Sequence, residues 1–312
     1  MSDPKAVYTL EDLRSWPTAV EGLNPPPRLA VIGDPVEHSA SPGMHNPALE
    51  TAGIDASYVR VHLKDEELEE ALKLFAENDF LGINVTIPHK VRIAELMNQC
   101  DPLAERIGAV NTVLFEDQQL LGFNSDAPGF KKAIREEFFV DLQDMRIAII
   151  GAGGGAGRAV AIQCAEDGCE RLLLVNRTLE KAEALVAELT PDFSDDRVSA
   201  PGERLRALTP DDPALADELD QIDLIINATN LGMKRADPDP LPLRALQPHH
   251  LVFDMVYSPP TTRLMESARN AGARATNGLG MLLWQGAVSF EYWFNREAPI
   301  SAMREGLKSA VS

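Results

Sequence analysis

The sequence predicts an α/β protein of two domains, each built on a mostly parallel sheet. Three observations carry that prediction. From Arg28 onward, short β-branched runs alternate with segments of helical period, as in βαβ units. A second series of this kind opens at Met145, where a strand runs into a glycine-rich turn and then a helix. The length of 312 residues suits two domains, or one large one, with a core of good size.

Composition narrows the function. With 45% apolar and 25% charged residues, the chain has the make-up of a soluble globular protein, which excludes wholesale disorder, collagen and coiled coil. Lys and Arg number 29 against 48 Asp and Glu, so the net charge of −19 repels nucleic acid and anionic membrane. An anionic small ligand therefore needs a locally basic pocket. Cys100, Cys164 and Cys169 form no CxxC pair, which suits buried thiols in a reducing compartment. The N-terminus has no apolar run of the secretory type. The longest uncharged apolar stretches, 147–157 and 275–290, are too short and too rich in Gly, Asn or Gln to span a bilayer. A cytoplasmic protein is expected.

Residues 1–27 read as an appended arm, ending in the stiff break Asn24-Pro25-Pro26-Pro27. Strands are expected at 29–32, 57–63 and 82–86, with Leu68, Leu72 and Phe75 at helical spacing between the last two. A helix follows Pro88, which fits a first turn, and Val91, Ala94 and Leu96 continue its apolar face. Residues 108–124 read as a hairpin around Glu116-Asp117, and a helix opening near Asp126 bridges two domains. The second series then runs strand 146–150, helix to Ala165, strand 171–175 and helix 179–189. Residues 190–220, rich in Asp, Pro and Ala, are expected to be irregular and exposed. Strands at 223–227 and 251–254, a helix at 263–271 and two C-terminal helices at 279–294 and 301–308 complete the chain.

Gly151-Ala152-Gly153-Gly154-Gly155-Ala156-Gly157 lies directly between a strand and a helix, the context that a dinucleotide-binding turn requires. Its glycines let the main chain approach a pyrophosphate, and the helix N-terminus offers unpaired N–H groups to the anion. This predicts a Rossmann-type dinucleotide-binding domain. Two registers fit, Gly151-x-Gly153-x-x-Ala156 and a frame shifted by one that ends at Gly157. The next strand ends in Val175-Asn176-Arg177-Thr178, with no acidic residue to take a ribose 2′-hydroxyl. A cation there favours a 2′-phosphate, Lys181 adds a second charge, and NADP is the expected cofactor. The plainer alternative is a pair of solvated surface charges beside a flexible connector.

Asn84-Val85-Thr86-Ile87-Pro88-His89-Lys90 stands at the C-terminal end of a predicted parallel strand, where open α/β sheets bind ligands. A lysine partly desolvated in a cleft can give or take a proton near neutral pH. His89 is as readily structural as catalytic. His38-Ser39-Ala40-Ser41-Pro42 and Gly122-Phe123-Asn124-Ser125-Asp126 are polar clusters that, taken singly, read as turn and capping chemistry, with Ser41 and Asp126 as N-caps.

Taken together, these segments resemble the shikimate dehydrogenase family from Arg28 to the C-terminus. The matching runs, in order, are HSASPGMHN (38–46), NVTIPHK (84–90), GAVNTV (108–113), GFNSD (122–126), GAGGGAGRAV (151–160), NRT (176–178), NATNLGM (227–233), DMVYSPPTT (254–262) and NGLGMLLWQG (277–286). The resemblance implies two α/β domains flanking a cleft. An N-terminal substrate domain at 28–125 precedes a Rossmann-type NADP domain at 126–276, and C-terminal helices at 277–312 return to the substrate domain. It makes Lys90 and Asp126 the catalytic pair. Ser39 and Ser41 take the substrate carboxylate, while Thr86, Asn111, Tyr257 and Gln285 complete the substrate site. NADP lies along Gly151, Ala152, Gly153, Gly154, Gly155 and Ala156 and against Asn176, Arg177, Thr178 and Lys181, with Met255 and Gly278 near the nicotinamide. The implied reaction is hydride transfer between NADPH and the ketone of 3-dehydroshikimate, giving shikimate without a metal.

Two departures stand out. Ser125 replaces the family's common Thr before the catalytic Asp, and the glycine loop carries one extra glycine. The small-molecule substrate is the expected partner, with no nucleic acid and no membrane, and the resemblance allows a homodimer. The alternatives are a quinate or mixed quinate/shikimate dehydrogenase on the same scaffold, and a catalytically silent NADP-binding regulatory protein.

Overall fold

A computed structural model of the chain describes residues 5–194 and 204–311. It divides into two compact units, Met1–Ser125 with Leu283–Ser312, and Asp126–Leu282.

The first unit opens with two short helices, α1 (Leu10–Arg14) and α2 (Trp16–Ala19), and then enters strand β1 (Pro27–Gly33). Helix α3 (Ser41–Thr51), β2 (Ser57–His62), α4 (Leu68–Glu77), β3 (Gly82–Val85) and α5 (Lys90–Leu96) follow. A short strand β4 (Gln99–Cys100), helix α6 (Pro102–Ile107) and the hairpin β5 (Thr112–Glu116) and β6 (Gln119–Phe123) complete its sheet. The strand order is β2-β1-β3-β5-β6-β4. β1 pairs in parallel with both β2 and β3, whereas β5 runs antiparallel to β3. The hairpin turns at Asp117 and Gln118, both with positive φ, so its strands can reverse in two residues.

Period-2 alternation gives this sheet two different faces. Ala30, Ile32, Val59, Val61, Ile83 and Val85 point into one apolar core together with Leu68, Leu72 and Phe75 of α4. On the other face, in register across β2, β1, β3 and β5, stand Tyr58, Leu29, Gly82 and Leu114, then Arg60, Val31, Asn84 and Thr112. The indole of Trp293 lies over Gly82, where a Cβ would fall 2.1 Å from its ring nitrogen, and donates to the Val113 carbonyl at 3.0 Å.

The segment read as an appended arm is part of this core. Tyr8, Leu10, Leu13 and Trp16 are buried in it. Tyr8 extends the sheet beyond its edge strand, donating its N–H to Arg60 O at 2.9 Å and accepting the His62 N–H at 2.8 Å. Trp16 packs at a tilt against Phe80 with ring centroids 5.2 Å apart, and Arg14 pairs with Glu70 at 2.7 Å. The apolar residues stand three apart among charges, so each short helix buries one face. Residues 1–4 lie outside the described residues.

The second unit comprises α7 (Asp126–Phe138), β7 (Arg146–Ile150), α8 (Gly155–Glu166), β8 (Arg171–Val175), α9 (Leu179–Leu189), β9 (Leu205–Leu208), α10 (Leu215–Leu219), β10 (Leu224–Asn227), β11 (Leu251–Asp254), α11 (Arg263–Asn270) and β12 (Arg274–Asn277). Its six parallel strands are ordered β12-β11-β10-β7-β8-β9, so the chain reverses direction across the sheet beside β7, whose C-terminal end carries the glycine-rich loop. Residues 190–220 are not the irregular, exposed stretch that their composition predicts. β9 pairs with β8, and Phe193, Leu205, Leu208, Leu215 and Leu219 are buried. The elements here are four and five residues long, too short for a period to show. The part of this stretch at 195–203 lies outside the described residues.

Helix α12 (Leu279–Phe294) carries the chain from the second unit into the first, where α13 (Ile300–Val311) packs against α3. Gly306 permits that packing, since a Cβ on it would fall 2.2 Å from Gly43 O.

Candidate active site

In the first unit the sequence-predicted residues converge on the C-terminal ends of β1 and β3. Ser39 and Ser41 flank the start of α3, and the Ser39 hydroxyl donates to Ser41 Oγ at 3.2 Å. Ser41 is not the N-cap expected from its residue type. Ala40 holds that position, and Ser39 Oγ accepts the Ser41 N–H at 3.3 Å, so the serine two residues earlier does the capping. Thr86 follows β3, its N–H bonded to Ile32 O at 2.9 Å, and its methyl fills the space that a side chain on Gly33 would need. Lys90 opens α5, and its carbonyl accepts the Val110 N–H at 2.9 Å, which brings the start of that helix alongside Asn111.

A buried polar network crosses the face of the sheet that carries Tyr58, Asn84 and Thr112. Tyr58 OH donates to Asn84 Oδ1 at 2.8 Å, and the Asn84 amide donates to Ser289 Oγ at 2.9 Å, Asn111 O at 3.1 Å and Thr112 Oγ1 at 3.2 Å. Ser289 lies within 2.8 Å of Thr112 Oγ1 and 3.0 Å of Ser125 Oγ. Asn111 Oδ1 accepts the Ser125 N–H at 2.7 Å and its amide donates to Ser125 Oγ at 3.0 Å, while Ser125 Oγ lies 3.5 Å from Gln285 Oε1. Burial raises the Tyr58 phenol, partly offset by its bond with Ser41. The network thus runs from Tyr58 to Asn111 and Gln285 through Asn84, Thr112, Ser289 and Ser125.

His89 is buried, and its Nε2–H donates to Leu63 O at 2.7 Å, a structural bond that leaves the ring turned away from acid–base work. Asp126, also buried, is the first residue of α7.

In the second unit the glycine run forms the turn between β7 and α8, and the structure resolves its register. Gly151 has φ +88°, and a Cβ on it would fall 2.6 Å from the Thr229 methyl. A Cβ on Gly153 would fall 2.9 Å from the Asn176 amide and from Lys181 Cβ, and one on Gly157 would fall 2.3 Å from Gly151 O. The required glycines are therefore 151, 153 and 157, the last permitting the helix to pack on the turn. A Cβ on Gly155 meets nothing within 4 Å, so the extra glycine borders open space at the N-terminus of α8. Such a cradle, with unpaired helical N–H groups behind it, fits a pyrophosphate.

Asn176 fastens the lip of this cradle. Its Oδ1 accepts the Gly153 N–H at 3.2 Å and its amide donates to Thr178 O at 2.8 Å. Arg177, Thr178 and Lys181 are exposed, and among the described residues neither cation has a carboxylate partner. An exposed arginine and lysine at the end of β8 fit a second phosphate.

Met255 and Tyr257 follow β11, and Gly278 stands so close that a Cβ on it would fall 2.1 Å from Met255 O. Burial raises the Tyr257 phenol. The loop is held by Asp254, whose carboxylate accepts from Asn227 Nδ2 at 2.9 Å, Val256 N at 3.1 Å and Thr262 Oγ1 at 2.6 Å. Burial raises this carboxyl and the three bonds partly offset it. Asn227 in turn accepts the Thr229 hydroxyl at 2.6 Å. These links tie the NATNLGM run to the DMVYSPPTT run, a support role that residue type alone does not disclose.

Residues 31–113 match the shikimate dehydrogenase substrate binding domain, 133–232 the shikimate/quinate 5-dehydrogenase family, and 278–308 the shikimate 5′-dehydrogenase C-terminal domain. The chain is 42% identical over 281 residues to the shikimate dehydrogenase (NADP+) of Methanopyrus kandleri, covering 89% of this chain and 94% of that protein. It is 40% identical to that of Moorella thermoacetica, covering 91% and 93%. Among solved structures, the shikimate dehydrogenase of Thermus thermophilus in complex with NADP(H) and shikimate superposes with a TM-score of 0.79 at 36% identity, covering 91% of this chain and 99% of that one. The quinate dehydrogenase of Corynebacterium glutamicum in complex with NAD superposes with a TM-score of 0.78 at 25% identity, covering 91% and 99%. No described helix is long and apolar enough to cross a membrane.

Proposed function

The chain belongs to the shikimate dehydrogenase family, and from that premise we propose that it catalyses the reversible, NADP-dependent reduction of 3-dehydroshikimate to shikimate. One observation supports this reading above the rest. A single chain carries on one unit a serine pair and a buried network holding Asn111 and Gln285, and on the other a glycine cradle bordered by exposed Arg177 and Lys181. In this reading residues 28–125 bind substrate, 126–276 bind NADP, and 277–312 supply the helices that pack on the substrate domain.

Ser39 and Ser41 donate to the substrate carboxylate. Thr86, Asn111, Tyr257 and Gln285 bind the remaining polar groups and fix the ring so that one face of the ketone is presented. The cofactor supplies the hydride. Gly151 to Ala156, with Asn176, Arg177, Thr178 and Lys181, hold its phosphates and ribose, and Met255 and Gly278 border the nicotinamide. In the reductive direction Lys90 gives its ammonium proton to the carbonyl oxygen as the C–O double bond becomes a single bond. Asp126 accepts a hydrogen bond from the adjacent hydroxyl. In the oxidative direction Lys90 takes the hydroxyl proton back. The three cysteines are free, as a reducing cytoplasm would keep them.

The test is one set of initial rates, with shikimate and quinate each paired with NADP+ and NAD+. Shikimate with NADP+ is expected to have the highest kcat/KM. A higher value for quinate with NAD+ would transfer the chain to the quinate branch, and no turnover with any pair would make it a binding protein.

A further inference from the structure

The carboxylate site proposed above contains no cation of its own. Ser39 and Ser41 are neutral donors, in a chain whose net charge of −19 opposes an anionic substrate. A charge that compensates for this stands one layer behind them, on β2.

Val59 and Val61 of β2 enter the apolar core, and Tyr58, Arg60 and His62 project from the opposite face. Each of the three fastens α3 or the segment that leads into it. The Tyr58 peptide pairs with the Asn46 side chain of α3, its carbonyl accepting at 3.0 Å and its N–H donating at 2.7 Å, and His62 Nε2 lies 3.0 Å from Asp34 Oδ1. Between them Arg60 grips the Ser39 peptide with two donors, Nε at 2.8 Å and a terminal nitrogen at 2.6 Å from the carbonyl oxygen.

Arg60 is half-buried, yet among the described residues no carboxylate lies within ion-pair distance of it. The acids of the neighbouring segment, Asp34 and Glu37, face His62 instead, at 3.0 and 3.9 Å. Arg14, Arg92, Arg146, Arg158, Arg171 and Arg206 all have carboxylate partners. A guanidinium withdrawn from water without a counterion bears a desolvation cost that no ion pair offsets. Arg28 likewise holds only a carbonyl, that of Asp79, but Arg60 does so at the proposed carboxylate site, where its charge is left for an arriving anion.

We infer that Arg60 is the charge-selecting residue of the substrate site, making the Ser39–Ser41 pair a receptor for a carboxylate rather than for any hydrogen-bond acceptor. Its positive field acts on the anion through the Ser39 peptide, whose carbonyl it holds, so it is a positioning residue and takes no part in proton or hydride transfer. The inference rests on the proposal that the two serines receive the carboxylate.

The experiment compares shikimate with its uncharged methyl ester, using KM for the acid and either KM or the inhibition constant for the ester, in wild type, Arg60→Met and Arg60→Lys. Arg60→Met should raise the constant for the acid at least tenfold with kcat nearly unchanged, while the constant for the ester stays within about threefold. Arg60→Lys keeps the charge and loses the two-pronged grip, so it should keep the preference for acid over ester even if both constants rise together. Equal rises for acid and ester in Arg60→Met, or loss of the preference in Arg60→Lys, would reduce Arg60 to a support for the loop and overturn the inference. If the methionine variant does not fold, the lysine variant decides by the same ratio. Ser39→Ala and Ser41→Ala separate the two failures. Unchanged constants in both would remove the carboxylate site itself, whereas raised constants alongside an unaltered ratio in Arg60→Met would remove Arg60 alone.

Discussion

The Tyr58 hydroxyl donates to Asn84 Oδ1 across 2.8 Å, and both side chains are buried. Tyr58 is on β2 and Asn84 on β3, so the bond passes over β1 and ties the edge of the sheet to its middle. It also ties the strand that carries Arg60 to the proposed substrate site, because Asn84 donates to the Asn111 carbonyl.

Tyr58→Phe keeps the ring and removes this link. Asn84 Oδ1 is then a buried acceptor without its donor, a loss of about 1–3 kcal/mol. Urea unfolding should show a lower midpoint with an unchanged slope, and KM for shikimate should rise more than kcat falls, since Asn84, which holds the Asn111 carbonyl, loses its tie to β2. A midpoint equal to that of wild type would mean that another donor or water replaces the phenol.

Lys90→Ala removes the proposed proton donor. Loss of a positioned proton-transfer group lowers kcat by about a hundredfold or more, with little change in substrate KM. Asp126→Asn should lower kcat similarly and weaken binding as well, because its carboxylate is proposed to accept a substrate hydroxyl. Losses that simply add in the double variant would argue that the two do not act as a unit. Near-normal turnover in Lys90→Ala would take the lysine out of the mechanism.

The glycine loop offers a paired test. Gly157→Ala places a Cβ 2.3 Å from Gly151 O and must shift the turn, so it should lower stability and NADP affinity together. Gly155→Ala meets no protein atom within 4 Å and stands in the first turn of α8, where alanine is favoured over glycine by about 0.5–1 kcal/mol. It should preserve or raise the melting temperature while weakening NADP binding, because the new methyl occupies space left to the cofactor. Unimpaired NADP affinity in Gly155→Ala would place the pyrophosphate elsewhere along the loop.

Strands such as β8 and β11 were legible in the sequence because their buried apolar runs are bounded by polar residues, and a helix such as α9 because its 11 residues, about three turns, expose a period. Leu10, Leu13 and Trp16 misled because two helices of five and four residues show too little of a period to reveal a buried face. Tyr58 and Arg60 escaped for a different reason. An alternating strand declares that it has a second face, but what crosses that face is decided by the fold. The loop that Arg60 grips is 21 residues away in sequence, and Ser289 reaches Asn84 from 205 residues away. The register of the glycine run was equally undecidable from spacing, since what distinguishes Gly157 from Gly155 is the backbone that each approaches.

His45 provides a pH test. It is fully buried in α3, stacks on Tyr58 at 4.4 Å, and neither ring nitrogen has a hydrogen-bond partner among the described residues. Burial lowers its pKa from 6.5 to about 3. The folded state therefore refuses a proton that the unfolded state accepts, so the stability is present above pH 6.5 and is lost as pH falls toward 3. Between pH 7 and 5 this group should cost wild type about 2 kcal/mol that His45→Phe does not lose. The stability difference between the two proteins, which cancels the other carboxylates, should shift in favour of the variant on acidification. A difference independent of pH would mean that His45 is solvated or charged in the folded protein.

Cofactor choice rests on the lip of β8. Asn176 is committed to Gly153 and Thr178, which leaves Arg177 and Lys181 as the exposed cations there, and no acidic residue stands in the Asn176–Thr178 turn to accept a ribose 2′-hydroxyl. An arginine can grip a phosphate through two parallel bonds, whereas the lysine acts as a point charge, so Arg177 should dominate. The net charge of −19 does not oppose this, because salt screens distant carboxylates beyond roughly 8 Å. Arg177→Asp should weaken NADP binding by about a hundredfold or more and spare or improve NAD, since the new carboxylate repels a phosphate and accepts ribose hydroxyls. Lys181→Ala should give a smaller change in the same direction. The decisive quantity is the ratio of kcat/KM for NADP+ to that for NAD+. If Arg177→Asp left that ratio unchanged, Arg177 would be a surface residue and the 2′-phosphate would have to be recognised elsewhere.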